Sequence, residues 1–164
     1  MKTKYIIFFL LFLYGCISSV FISSVSNQSI EKNSTIYISK FYGMSMDEDV
    51  FREKLKATLK RKGYVTVNNF QKSEYYLFIN FNNRLQKNLN QKRNPDSFSL
   101  ELFLIESKNI SDSSGLPFER DDAVWVCKIE LTRLDFLKHQ DDVMENISKY
   151  FCNTHYGRLS LIHI

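Results

Sequence analysis

At 164 residues, with 44% hydrophobic and 15% aromatic content, the chain is long enough for one compact domain and too apolar to be intrinsically disordered. Two prolines and five glycines exclude collagenous and Pro/Gly-rich low-complexity classes, and three cysteines are too few for a disulfide-stapled mini-protein. The fold must rest on its core. A formal charge of +4, from 22 Lys+Arg against 18 Asp+Glu, gives no footing for a nucleic-acid partner.

The chain opens with a targeting pattern. Lys2 and Lys4 form a short cationic region, and residues 5–14 (YIIFFLLFLY) are an uncharged apolar run, well short of the ~20 residues a spanning helix needs. Leu13-Tyr14-Gly15-Cys16 follows, and it resembles the lipobox of bacterial lipoproteins: an aliphatic residue at −3, a small residue at −1, then the cysteine. Tyr14 at −2 departs from the usual small or aliphatic residue. The resemblance implies that residues 1–15 are a signal peptide and that Cys16 is diacylglycerylated and becomes the new amino terminus. Two or three acyl chains, at ~0.8 kcal/mol per buried CH₂, would make release from the membrane negligible. Cleavage removes Lys2 and Lys4 and lowers the charge from +4 to +2. Ile17 stands where an aspartate would favour retention in the inner membrane, so the same resemblance implies an outer-membrane protein facing the periplasm.

Residues 16–34 are rich in serine and asparagine and read as a lipid-anchored tether, with a reach of ~20 to 25 Å by flexible-chain scaling. Val20, Phe21, Ile22 and Val25 leave two further readings open, contact with the membrane interface or an added edge strand. A single domain is expected over 35–157, followed by a tail over 158–164.

Within that domain, residues 35–42 (TIYISKFY) are β-branched and aromatic enough for a strand. A helix is predicted over 46–62. Ser45 and Glu48 have capping-box spacing, Phe51, Leu55 and Leu59 form an i, i+4, i+8 stripe, and Gly63 suits the left-handed position that ends a helix. A short extended piece is expected over 64–67, then strands over 75–81 (YYLFINF), 97–105 and 124–131 (VWVCKIEL). A last helix begins near Asp141, with Val143, Ile147 and Phe151 as its buried stripe. The order β-α-β-β-β-β-α predicts an α+β domain, an antiparallel sheet of about four strands with two helices on one face.

The lipobox, the Ser/Asn-rich segment, a strand ending in Phe41, a helix closing on Lys62-Gly63-Tyr64, and a late Val124-Trp125 strand leading to a terminal helix resemble small bacterial envelope lipoproteins of a domain-of-unknown-function family. The alanine-aspartate usual before the central strand in that family is here Ser73-Glu74. The resemblance implies a lipid-anchored envelope protein and brings no catalytic residues with it.

No hydrolase elbow, zinc-protease helix, phosphate loop or Cys-x-x-Cys pair occurs in the sequence. His139, His155 and His163 remain as possible bases, but they lie at the helix start or in the tail, where surface histidines are common, so no catalytic residue, cofactor or metal ligand is expected. Cys152-x-x-His155 has metal-like spacing, but with Cys127 and His163 elsewhere it does not make a four-ligand set. Cys127 and Cys152 leave two states open in an oxidising compartment: a bridge from a strand to the end of the last helix, or two buried free thiols, the state the neighbouring stripe favours.

Charge is concentrated in two loops. Residues 84–93 (RLQKNLNQKR) carry Arg84, Lys87, Lys92 and Arg93 and no acid, whereas residues 107–122 hold Asp112, Glu119, Asp121 and Asp122 against Lys108 and Arg120. Successive hairpin loops lie at opposite ends of a sheet, which makes Arg84, Lys87, Lys92 and Arg93 the candidate contacts to an anionic surface. Tyr75, Tyr76, Phe78, Phe81, Phe103 and Trp125 occupy both parities of their strands, so both sheet faces carry apolar surface. Two helices cover one face. The tether and tail would close the second, or a partner would dock on it.

The expected function is a non-catalytic, lipid-anchored envelope lipoprotein acting as a binding or assembly module, with an envelope protein as partner. A lipid- or glycan-binding carrier would instead need an enclosed apolar cavity, and a periplasmic hydrolase a cleft joining a histidine to a carboxylate.

Overall fold

The computed structural model describes residues 18–39, 45–83, 97–110 and 120–161. They form a seven-stranded mixed sheet: β1 (Ser18–Ser26), β2 (Thr35–Ile38), β3 (Val65–Val67), β4 (Tyr75–Asn83), β5 (Ser97–Glu106), β6 (Ala123–Thr132) and β7 (His155–Leu161). The spatial order is β3-β2-β4-β5-β6-β1-β7. Three α-helices accompany it, α1 (Met46–Arg61), α2 (Arg133–Lys138) and α3 (Gln140–Tyr150). The α+β class stands, but the expected sheet of about four antiparallel strands is corrected to seven in a mixed arrangement. The reason is topological: β2 pairs in parallel with both β3 and β4, a pairing that needs a crossover, and α1 supplies it between β2 and β3.

The second correction concerns the two ends of the expected domain. Residues 18–26 of the segment read as tether form β1, hydrogen-bonded between β6 and β7 with Ser24 opposite both Cys127 and His155, which is the strand alternative left open for Val20, Phe21, Ile22 and Val25. Val20 and Ile22 point into the core at 2% and 0% exposure while Phe21 and Val25 point outward at 42% and 39%. Ser24 takes the inward place after Val20 and Ile22, and Ser23 the place between Phe21 and Val25, so the serines do not break the period of two. Ser24 itself is buried, its hydroxyl donating to the Asn153 carbonyl at 2.8 Å. Residues 158–161 of the segment read as tail belong to β7, which pairs with β1 as far as Leu161 opposite Ser18. The domain therefore takes in residues on both sides of 35–157.

Local chemistry explains α1. The Ser45 hydroxyl accepts from the Glu48 N–H, and the Glu48 carboxylate accepts from the Ser45 N–H at 2.8 Å, closing the capping box. Phe51, Leu55 and Leu59 are fully buried, and each such side chain contributes roughly 1.5–3 kcal/mol of burial. The helix stops where Gly63 takes φ +95°, a conformation that favours a residue without a Cβ. The last helical region is two helices instead of one. Thr132 caps α2 by accepting from the Asp135 N–H at 3.0 Å, and α3 buries Val143 and Ile147, with Phe151 just beyond it.

All three helices lie on one face of the sheet. There Phe136 of α2 packs against Phe98, Phe51 and Phe81 with ring centroids 4.9, 5.3 and 5.9 Å away. Trp125 of β6, at 0% exposure, packs on Phe151 and donates its indole N–H to the Tyr150 carbonyl at 3.2 Å. The strands define two ends. At the Ser18 end lie the finishes of β4 and β6 and the starts of β1, β5 and α3. At the Ser26 end lie the starts of β4, β6 and β7 and the finish of α3.

Candidate functional site

The opposite face of the sheet, free of helices among the described residues, is divided along its length. Towards the Ser26 end, Tyr76 and Phe78 of β4 lie opposite Ile105 and Phe103 of β5, and Phe103 lies opposite Val126 of β6. Phe78, Phe103, Ile105 and Ala123 form a small second core, with Tyr76, Ile110 and Val126 partly buried against it. Beside it Tyr37 of β2, Phe70 and Tyr76 make a three-ring cluster, centroids 5.5, 5.6 and 6.1 Å apart, each ring half-buried. Edge-on contacts at these distances are among the arrangements aromatic pairs prefer, each worth about 0.5–1.5 kcal/mol beyond the area buried. Burial, reinforced by the Tyr37 phenol, pushes the Tyr76 hydroxyl up from its ordinary pKa, so it stays a protonated donor.

Towards the Ser18 end the same face turns polar. Asn80, Glu101 and Lys128 stand opposite one another across β4, β5 and β6. The Asn80 amide donates to the Glu101 carboxylate at 3.3 Å, and Lys128 pairs with Glu130 at 2.6 Å. Of the six aromatics singled out in the sequence, Tyr76, Phe78 and Phe103 belong to this face, whereas Tyr75, Phe81 and Trp125 pack with the helix-side core. Tyr37 and Phe70 were not singled out, although Tyr37 is the outward residue in the TIYI alternation of β2. Of the two alternatives for this face, closure by tether and tail does not occur through β1 and β7. Those segments lengthen the sheet at its edge instead of folding over it.

Cys127 and Cys152 are free thiols, with no bridge between them. Cys127 is buried on β6, and burial pushes its thiol up to about 12. Cys152 takes φ +58° at the turn from α3 into β7. Its thiol is also pushed up to about 12, by burial first, with the Tyr64 hydrogen bond acting the other way. A thiol held protonated is neither a nucleophile nor a ready metal ligand. Among the described residues no three of His, Cys, Asp and Glu gather where they could hold a metal ion.

His155 stacks on Tyr150 with centroids 3.7 Å apart, and its buried Nε2 has no hydrogen-bond partner. His139 meets Asp142 at 3.2 Å within the first turn of α3. Neither histidine lines the groove between α1 and α3, an open depression of about 560 Å³ bounded by Lys54, Arg61, Lys62, Asp141, Met144 and Glu145 among others. An ion pair of 2.7 Å between Lys54 and Asp141 crosses it. Cys16, Arg84, Lys87, Lys92, Arg93, His163, Phe41, Asp112 and Glu119 lie outside the described residues, as does the segment 1–15.

No family model matches the chain, and no curated protein matches it. Solved structures do. A PDZ domain protein from Parabacteroides distasonis aligns with a TM-score of 0.52 at 12% identity, over 96% of this chain and 41% of that one. The chain thus spans less than half the length of that protein, and the likeness is one of fold. The PelC dodecamer from Paraburkholderia phytofirmans aligns at 0.49 and 12% identity over 79% of this chain and 95% of that one. A DUF4136 family protein from Bacteroides thetaiotaomicron aligns at 0.49 and 10% identity over 80% and 94%.

Proposed function

We propose that the chain is a non-catalytic, lipid-anchored lipoprotein of the bacterial envelope, a binding or assembly module that meets an envelope protein through the helix-free face of its sheet. The observation that carries this reading is the Tyr37, Phe70 and Tyr76 cluster, three mutually packed rings left half-buried on the face opposite the described helices. An aromatic centre beside a polar border of Asn80, Glu101, Lys128 and Glu130 matches the anatomy of a protein interface, in which buried aromatic anchors carry most of the affinity. The protonated thiols, Cys127 buried and Cys152 partly so, and the separation of His139 and His155 from the groove argue for binding over catalysis. The charged, open lining of the groove likewise argues for a protein partner over a carrier of apolar lipid.

The anchor in this reading is Cys16, on the lipobox pattern that ends in it, with the domain on the periplasmic side of the outer membrane. Arg84, Lys87, Lys92 and Arg93 belong to the segment that leaves the sheet at Asn83 and returns at Ser97. Both points are at the Ser18 end of the sheet.

The test is photocrosslinking in cells from a photoreactive phenylalanine analogue at position 37, with the native anchor in place. A discrete adduct that disappears with Phe70→Ser but persists with Lys62→Glu, which alters the α1/α3 groove, is the expected result. No adduct from position 37, or adducts indifferent to Phe70→Ser, would overturn the assignment of this face.

A further inference from the structure

We propose that α2 docks on the membrane, its exposed Leu134 and Leu137 seated in the interfacial layer of an anionic bilayer and Arg133 and Lys138 meeting the headgroup phosphates. This rests on the reading of Cys16 as the anchor. It concerns something that reading leaves open, which is how the domain stands on the membrane.

The first argument is chain length. Ser18 is the first residue of β1 and is fixed in register against Leu161. Two residues of extended chain span at most ~7 Å, so a lipid on Cys16 holds the Ser18 end of the sheet at the bilayer surface, with no tether to lift it clear. The second argument is position. β6 finishes at Thr132 and α2 begins at the next residue. Phe21 of β1 lies opposite Glu130 of β6, which places α2 at the same end of the sheet as Ser18. The burial of Phe136 against Phe51, Phe81 and Phe98 locks α2 there.

The third argument is surface chemistry. Leu134 and Leu137 are 59% and 41% exposed, and Arg133 and Lys138 beside them are exposed too. The acid of this helix, Asp135, is engaged with Thr132, whose hydroxyl donates to it at 2.8 Å. Exposed leucines flanked by cations are the chemistry of an interfacial helix. The first turns of α1 and α3 at this end are acidic: Asp47, Glu48 and Asp49 on one, Asp141 and Asp142 on the other. Those turns would be repelled by anionic headgroups. The domain therefore leans on α2, with the acidic turns tilted away.

Lysine acylation of the full lipidated chain tests this, comparing vesicles of phosphatidylethanolamine and phosphatidylglycerol with detergent micelles. The expected result is that Lys138 reacts several-fold more slowly on vesicles, while Lys60 and Lys62 at the far end of α1 react equally in both. Replacing Leu134 and Leu137 by serine should return Lys138 to its micelle rate while the protein stays vesicle-bound through its lipid. Both positions are exposed, and unchanged Trp125 fluorescence verifies that the variant is folded. Equal Lys138 rates on vesicles and micelles, in a chain whose intact mass includes the lipid, would overturn docking through α2 and leave the anchor standing. An intact mass without lipid on Cys16 would overturn both.

Discussion

Ile22→Ala is the sharpest test of where the domain begins, because a tether residue and a core residue give opposite results. Ile22 is 0% exposed, at the centre of a strand paired on both sides, opposite Ile129 and Gly157. Truncation removes three carbon atoms, worth about 2.4 kcal/mol at ~0.8 each, and the cavity left behind brings the loss to about 3–4 kcal/mol. For a domain of this size that is a fall in Tm of roughly 6–16 °C. Val25→Ala, on the same strand but 39% exposed on the opposite face, should lose at most about 1 kcal/mol. Urea denaturation followed by fluorescence reports both variants, since the chain has 1 tryptophan and it is the buried Trp125. Equal, small effects at the two positions would refute β1 as part of the fold and restore the tether.

Three further outcomes are expected. Leu55→Ala, under α1, should lose about 2–5 kcal/mol while Lys56→Ala loses about 1 kcal/mol or less, read from the same urea curves. Stability should be level up to the ordinary thiol pKa of 9.0 and fall as pH rises towards about 12. The unfolded chain releases thiol protons that the buried Cys127 and Cys152 retain, so unfolding gains from every rise in pH across that window. Urea midpoints at pH 8 and above measure it, and a smaller alkaline loss in Cys127→Ala would tie it to the thiol. In a chain that starts at Ile17 and so carries no lipid, reversing Arg84, Lys87, Lys92 and Arg93 to glutamate together should weaken binding to anionic vesicles without changing the urea midpoint. Binding of that unlipidated chain with its native cations should also fade with salt as the Debye length drops from ~10 Å at 0.1 M to ~3 Å at 1 M.

What could be read from the residues was what depends on near neighbours in the chain. The cap at Ser45 and Glu48, the stripe of Phe51, Leu55 and Leu59, and the stop at Gly63 are all contained in one short stretch, and each is present in the structure. β1 was legible only as one of two open readings of Val20, Phe21, Ile22 and Val25, as an added edge strand, and β7 was not legible, because their stability is non-local. Ser24 is satisfied by the carbonyl of Asn153, 129 positions away, and a serine-rich strand with such a distant partner has the composition of a linker. The parallel pairing of β2 with β4 was hidden for the same reason, since no local pattern records which strand a short TIYI segment will join. The short α2 carries one buried side chain, Phe136, on a single turn and a half, too little for a helical period to show. On the helix-free face the sequence indicated apolar residues of both parities. It did not indicate that Tyr37 and Phe70 would join Tyr76, because their contact crosses β2, β4 and the turn between β3 and β4.

The claim on which the rest depends is that Cys16 anchors this domain by lipid directly at the edge of its sheet. Mass spectrometry of the amino-terminal peptide of the protein purified from membranes tests it in one measurement. The account requires a peptide that begins at Cys16, lacks residues 1–15, and carries a diacylglyceryl group on the thiol. An unmodified Cys16, or an amino terminus at any other residue, would contradict it.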